Sequence, residues 1–268
     1  MEFINLSSTA STLLITLYSR AAMSKRGMIL EDKKAEEIIS LAGYDQKKLK
    51  VSMKLQALLT LRAYVIDEYT KEFINRYNGN CNVVQIGCGL DSRYFRINNN
   101  LVKWYDLDLY GTMEMRKKYF KNSQNYKMIS SNVCNLAWLN QIDNPKLPTL
   151  VIAEGLFMYL TKEENKLVLD GLSNHFKECD LICDAFSTRF VKASRHHVAL
   201  KRTNASMKFG YDDPSVIENI SGFKHVKRVN YYHCPKVNEL PFLLKTRFKF
   251  RKLFKLFNNV QRVEIFKK

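Results

Sequence analysis

The chain predicts an α/β fold: a Rossmann-like core on a mostly parallel, doubly wound seven-stranded sheet, preceded by an N-terminal helical cap. Three observations carry this expectation. An apolar strand runs straight into a glycine loop in VVQIGCGLDSRYFRI at 83–97, strand and helix patterns alternate from residue 81 onward, and the first 80 residues show helical periodicity.

In order along the chain, Ala35, Ile38, Ile39 and Leu41 recur at helical spacing in 31–41. Leu55, Leu58, Leu59, Leu61, Val65, Ile66, Tyr69 and Phe73 continue that spacing through 54–77, up to the break at Asn78-Gly79-Asn80. Residues 1–80 are therefore expected as a helical cap and 81–268 as the core. The core reads as strand 82–86, helix 91–97, strand 102–107, helix 111–121, strands 126–130 and 149–153, helix 161–176 and strand 180–186. A polar insertion at about 187–215 follows, holding Arg189, Arg195, His196, His197, Lys201 and Arg202. A helix at 214–220 and strands near 225–232 and 260–266 complete the sheet.

Composition narrows the class. With 268 residues, 46% of them hydrophobic, the chain can bury the core of one large domain or of one domain with a cap. Cysteines 81, 88, 134, 179, 183 and 234 form no C-x-x-C pair, which reads as free thiols in a reducing compartment, with the cytoplasm as the expected location. No Cys/His cluster has metal-ligand spacing, so no metal is expected. No stretch approaches the roughly 18–20 apolar residues of a membrane span. STLLITLY at 11–18 is short and follows Glu2 rather than a basic segment, against a signal peptide.

The net charge of +17 raises nucleic acid or an anionic membrane as partners. Much of it lies in 245–268, where Lys245, Arg247, Lys249, Arg251, Lys252, Lys255, Arg262, Lys267 and Lys268 interleave with Phe248, Phe250, Leu253, Phe254, Leu256 and Phe257. A solvated basic face on the last helix and strand is the reading adopted, with contact to phosphates or acidic lipid as the alternative.

The glycine loop carries the chemistry. A strand ending in Gly87 and Gly89 lets the backbone approach a ligand where a Cβ would stand in the way. A dinucleotide loop wants a third glycine at the position of Ser92, to cradle a pyrophosphate. S-adenosylmethionine has no pyrophosphate and needs no full glycine set. About twenty residues on, KWYDLD ends in Asp106 and Asp108; the residue nearer the strand tip, Asp108, is the candidate for the ribose hydroxyls. The 149–153 strand runs into AEGLFMYL, whose Glu154 suits the cofactor's ammonium or the substrate site, with aromatic faces to flank a sulfonium.

Together with STLLITLYSRAAMSK, WYDLDL and IAEGLFMYLTKEE, this loop resembles the leucine carboxyl methyltransferase family, in particular its bacterial branch of tetracenomycin-type polyketide O-methyltransferases; the resemblance extends over roughly 9–235. It implies a class I S-adenosylmethionine-dependent methyltransferase. By that resemblance Arg20 and Arg62 bind the cofactor's carboxylate, a role suited to the planar guanidinium fork. Gly87, Gly89 and Asp91 belong to the cofactor loop, Asp108 to the ribose, Asn132 and Val133 to the adenine, and Glu154 to the amino-acid end. The chain departs from the family pattern at Tyr110, where proline is usual, and at Asn132, where Asp is common; an amide oxygen still accepts from the adenine amino group.

Methyl transfer to a carboxylate needs no general base at neutral pH, whereas a phenol or alcohol would require one, with Tyr159, His196 and His197 as candidates. The expected partner is a small-molecule acceptor bearing a carboxylate or hydroxyl. Two rivals stand beside it. An RNA-directed methyltransferase would use the basic surface, although Ala153-Glu154-Gly155-Leu156 stands where base-amino enzymes carry [DNS]-P-P-[YFW]. A non-catalytic binding module would keep the fold without the cofactor.

Overall fold

The computed structural model describes residues 8–42, 51–194, 206–253 and 259–268. Local capping sets the first helices. After α1 (Ser8–Lys25), Asp32 caps α2 (Lys33–Leu41) by accepting from the Ala35 N–H, and Ser52 caps α3 (Met53–Arg76) by accepting from Leu55 N–H.

The core follows as β1 (Asn82–Ile86), α4 (Arg93–Ile97), β2 (Lys103–Asp108), α5 (Tyr110–Lys117), β3 (Tyr126–Ser130), β4 (Thr149–Ala153), α6 (Lys162–His175), β5 (Cys179–Phe186), α7 (Thr188–Ser194), α8 (Ser215–Glu218), β6 (Lys224–Val229), α9 (Phe242–Lys252) and β7 (Gln261–Lys267). The strands form one seven-stranded sheet in the order β3-β2-β1-β4-β5-β7-β6, parallel except for β7, which runs antiparallel to both neighbours. The direction of winding reverses between β1 and β4, which opens a crevice at their carboxyl ends, where α/β sheets bind ligands.

Strand alternation feeds two apolar layers. Val83, Leu150, Ile152, Ile182 and Val263 join Leu14, Ile38, Leu61 and Phe73 from α1, α2 and α3. Val84, Ile86, Val151 and Leu181 face the other way onto Val168, Leu169 and Leu172 of α6. Both faces are covered, so β1, β4 and β5 are buried along their whole length.

Several boundaries differ from expectation for identifiable reasons. The helix expected from 91 starts at Arg93, because the Asp91 and Ser92 side chains are taken up by arginines and by Asp32. The strand expected through 232 stops at Val229, where Asn230 caps the 3-10 turn Tyr231–His233 by accepting from Tyr232 N–H. Helix 111–121 begins at Tyr110 and stops at Lys117, and the 214–220 helix is a single turn. His196 and His197, with Arg195, Lys201 and Arg202, lie outside the described residues, as do Phe254, Lys255, Leu256 and Phe257.

A buried polar cluster locks β2 to β3. Asp106 accepts from Trp104 Nε1 at 2.9 Å and from the Tyr126 hydroxyl at 2.7 Å, and it ion-pairs with Arg116, which in turn donates to Gly89 O at 2.9 Å. Removing one partner strands a buried charge. Asp106→Ala is therefore expected to cost about 3–5 kcal/mol of stability and to lower the melting temperature by roughly 10 °C, read by calorimetry, with Asp106→Asn, which keeps an acceptor, losing less.

Candidate active site

A cavity of about 320 Å³ occupies the crevice, within the range of roughly 300–1,000 Å³ common for ligand sites. Its polar and backbone lining comes from Arg20 of α1, Arg62 of α3, Gln85 of β1, the loop residues 87–91, and Glu154 and Gly155 after β4. Its apolar lining comes from Leu13 and Ile15 of α1, Leu55 and Leu59 of α3, Met158 and Tyr159 in the turn after β4, and Phe186, Phe190 and Met207.

The glycine loop makes its turn with left-handed backbone, φ being +66° at Gly87 and +54° at Gly89. Space is as limiting as conformation. A Cβ at Gly89 would stand 2.7 Å from Leu13 Cδ2, and one at Gly87 would stand 3.1 Å from Leu156 Cδ1. The loop's amides are spent on the neighbouring strand and do not face a ligand: Gly87 and Cys88 N–H donate to Leu107 O, and Gly89 N–H donates to Asp108 Oδ2 at 2.8 Å. The glycines thus serve close packing and the turn, and their N–H groups hold Asp108 at the tip of β2. Asp108 is half-buried, its other oxygen accepting from Leu109 N–H, and burial raises its carboxyl.

Behind the loop lies a continuous network of buried ion pairs. Arg62 donates from Nε to Glu154 Oε1 and from Nη1 to Asp184 Oδ2, both at 2.8 Å. Arg93 reaches Glu154 Oε2 at 2.5 Å and Asp67 Oδ1 at 2.6 Å. Arg96 bridges Asp67, Asp91 and Asp32, and Arg20 reaches Asp32 at 3.0 Å and Asp91 at 3.5 Å. Burial pushes the Asp91 carboxyl up, but the charges of Arg20, Arg93 and Arg96 outweigh it and hold the group well below the ordinary range. Glu154 is lowered in the same way, burial being outweighed by Arg62 and Arg93. Asp184 goes the other way, because burial outweighs Arg62 and the Gly155 N–H.

The cavity brings together Arg20, Arg62, Gly87, Gly89, Asp91, Glu154 and Tyr159. It does not take in Asp108, Asn132 or Val133, which are not among its walls. Leu13 fills the space directly over Gly89. Asn132 is exposed in the turn after β3, its Oδ1 accepting from Cys134 N–H, and Val133 beside it is buried. Phe157 is core, whereas Met158 and Tyr159 line the cavity. Tyr159 is a poor base, because burial raises its phenol despite the nearby Arg62. Burial also holds the Cys88 thiol well above its ordinary range.

Sequence reasoning missed Gln85. It faces the helical layer in a strand otherwise apolar on that side, donates to Asp91 at 3.0 Å, and leaves its Oε1 buried with no hydrogen bond among the described residues. A glutamine inside NVVQIG was the available signal. Asp32, Asp67, Arg93, Arg96 and Asp184 were also missed as partners of the site, and nothing local in the sequence pairs residues so far apart.

The residues present suit S-adenosylmethionine. Arg20 lines the cavity and its Nη2, 3.5 Å from Asp91 Oδ1, makes no hydrogen bond among the described residues, so it can still donate to a carboxylate, and the unbonded Oε1 of Gln85 can accept from an ammonium. The ion-pair network holds one carboxyl more than its arginines, matching a ligand whose ammonium, carboxylate and sulfonium sum to one positive charge.

The family model described as Leucine carboxyl methyltransferase matches residues 13–173. The chain is 29% identical over 220 residues to Tetracenomycin polyketide synthesis O-methyltransferase TcmP of Streptomyces glaucescens, with 81% of each chain covered. It is 25% identical over 252 residues to the S-adenosyl-L-methionine-dependent methyltransferase dpfgK of Gibberella zeae, covering 86% of this chain and 85% of that one. Among solved structures, a duf574 family protein from Streptomyces avermitilis shares the fold at a TM-score of 0.59 and 8% identity, over 96% of this chain and 97% of that one.

Because Asp91 and Glu154 lie below their ordinary values of 3.8 and 4.5, their ion pairs contribute fully above those values, and the contribution is lost as pH falls toward the lower folded ones. Urea unfolding at descending pH is expected to show a shallower loss of stability below about pH 5 for Asp91→Asn than for the parent. Asp184 and Asp108 shift in the opposite sense, so the comparison between the two proteins isolates Asp91.

Proposed function

The chain belongs to the leucine carboxyl methyltransferase family and is an S-adenosylmethionine-dependent methyltransferase, and on that premise we propose that it methylates an oxygen, specifically a carboxylate, of a small apolar molecule. One observation supports this most strongly: the cavity is lined by both charged and apolar side chains, while the titratable groups in its wall are committed elsewhere. Asp91 and Glu154 are held by arginines, and the Tyr159 phenol and the Cys88 thiol are held protonated by burial. A carboxylate is already ionised at neutral pH and asks none of them for a proton transfer. The names of the relatives point the same way, one family being described by carboxyl methylation and one relative by O-methylation in polyketide synthesis.

S-adenosylmethionine supplies a methyl group on a sulfonium, an electrophile for in-line displacement. In this reading Arg20 Nη2 holds its carboxylate and Gln85 and Glu154 its ammonium, while Asp108, Asn132 and Val133, outside the cavity walls, are assigned the ribose hydroxyls and the adenine edge by the family resemblance. Arg62 and Arg93 keep Glu154 ionised and aimed, and Arg20 and Arg96 do the same for Asp91. Met158, Tyr159, Phe186 and Phe190 wrap the acceptor and exclude water, so that positioning and desolvation supply most of the rate. Helices α1 and α3 serve as the cap that contributes Leu13, Arg20, Leu55, Leu59 and Arg62 to the cavity wall. Six unpaired cysteines suit work in a reducing cytoplasm.

Incubation with methyl-labelled cofactor and a cell extract tests the acceptor: the label should be released rapidly in mild base, as from an ester, and a base-stable label would overturn the carboxylate reading. Arg20→Gln should weaken cofactor binding roughly 10–100-fold in calorimetric titration, the usual weight of a hydrogen bond to a charged group. Tyr159→Phe should leave kcat within a few-fold; a loss of about 100-fold or more would identify Tyr159 as a general base acting on a hydroxyl.

A further inference from the structure

Helix α9, FLLKTRFKFRK, is apolar on two opposite sides. Phe248 is fully buried against Tyr232, their rings edge-on at 5.3 Å, and Leu244 packs on the same core. That is the expected inward face. The opposite side carries Phe242, Leu243, Phe250 and, in the residue that ends the helix, Leu253, which are 71%, 81%, 60% and 76% exposed. At about 100° per residue these four fall within an arc of roughly 100° centred opposite Phe248.

Cations border this stripe on both flanks. Lys245, Lys249 and Lys252 lie along one edge and Arg247 and Arg251 along the other, and there is no acid between Phe242 and Leu253. An ordinary surface helix puts charge at the centre of its solvent face. This one puts charge at the margins and exposed aliphatic and aromatic side chains between them, around Thr246, whose hydroxyl is turned back onto Phe242 O and Leu243 O, so that the long basic side chains can reach phosphates while the stripe enters acyl chains.

We propose that α9 docks this protein onto the surface of an anionic lipid bilayer, the stripe Phe242, Leu243, Phe250 and Leu253 entering the headgroup boundary and the flanking lysines and arginines pairing with lipid phosphates. Charge complementarity selects the occupant: Lys245, Arg247 and Lys249, with no acid between Phe242 and Leu253, oppose an acidic surface. RNA offers the same phosphates, but nothing in it buries Leu243 and Leu253. The helix lies on the membrane and does not cross it, since no helix among the described residues is long and apolar enough to span one. The basic surface extends to the start of α3, where burial, followed by the charges of Arg251 and Arg247, lowers the Lys54 ammonium.

Flotation of the full chain with phosphatidylcholine vesicles, with and without phosphatidylglycerol, tests this directly. The protein should float only with the anionic vesicles and detach at high salt, and each neutralised cation among Lys245, Arg247 and Lys249 should weaken partitioning about fivefold. A variant with Phe242, Leu243, Phe250 and Leu253 all changed to Ser keeps every charge and, because these side chains are exposed, should keep the parent's melting temperature; it should no longer float. Failure of the parent to float with anionic vesicles would overturn the proposal. So would a stripe variant that floats like the parent, or binding of homopolymeric RNA that is tighter than vesicle binding and unchanged in the stripe variant, either of which reduces the helix to a site for polyanions. Neither set of changes touches the proposed catalytic cavity, so methyl transfer to a water-soluble acceptor is a separate readout.

Discussion

The buried network that joins Arg20, Arg62, Arg93 and Arg96 to Asp32, Asp67, Asp91, Glu154 and Asp184 is the constraint on which the remaining structure depends. Apolar packing would hold α1, α2 and α3 against the sheet, but it is non-directional and tolerates sliding. Charge pairs at 2.5–3.0 Å do not. Through them α1 is tied to the cap of α2, α2 to α4, α3 to the ends of β4 and β5, and all of them to the glycine loop. Burying so many charges is costly in itself, and it is sustained because nearly every group is met by an opposite one.

Structure and chemistry share the same side chains. Asp91 and Glu154 are anchors of the helical layer and at the same time the acids of the cavity, and their ionisation is set by arginines that no ligand has to supply. Arg20 and Gln85, whose Nη2 and Oε1 make no hydrogen bond among the described residues, both line the cavity. A site assembled in this way is preorganised: its polar groups are oriented before binding, and little has to be reordered when a charged ligand arrives.

Most of the fold was legible because it rests on local signals. Strands β1 and β4 announced themselves as apolar runs, the glycine loop followed one of them directly, and the helices of the cap showed their periodicity. Errors fell where a side chain bonded elsewhere than the pattern expects, as at residue 93, where Asp32 and the arginines delay the helix, and at Val229, where Asn230 within the expected strand caps a turn. Within the cavity, Gly87, Gly89, Glu154, Arg20 and Arg62 stood out by motif, but what each of them touches did not. Arg62 was read as a ligand for a carboxylate from outside; in the fold it holds two carboxylates of the protein's own.

The sequence by itself determined the order of strands and helices, the loop with its two obligatory glycines, and the family signature around it, because those depend on residue spacing and backbone freedom within a few positions. Tertiary structure alone decided which charges meet. Asp67 and Arg93, or Arg62 and Asp184, are distant in the chain and become partners only when the helical layer settles on the sheet, and the strength of a buried pair depends on that distance and on the exclusion of water. The same holds for α9: its basic and apolar residues were visible as a mixture, and only the burial of Phe248 established which of them face outward.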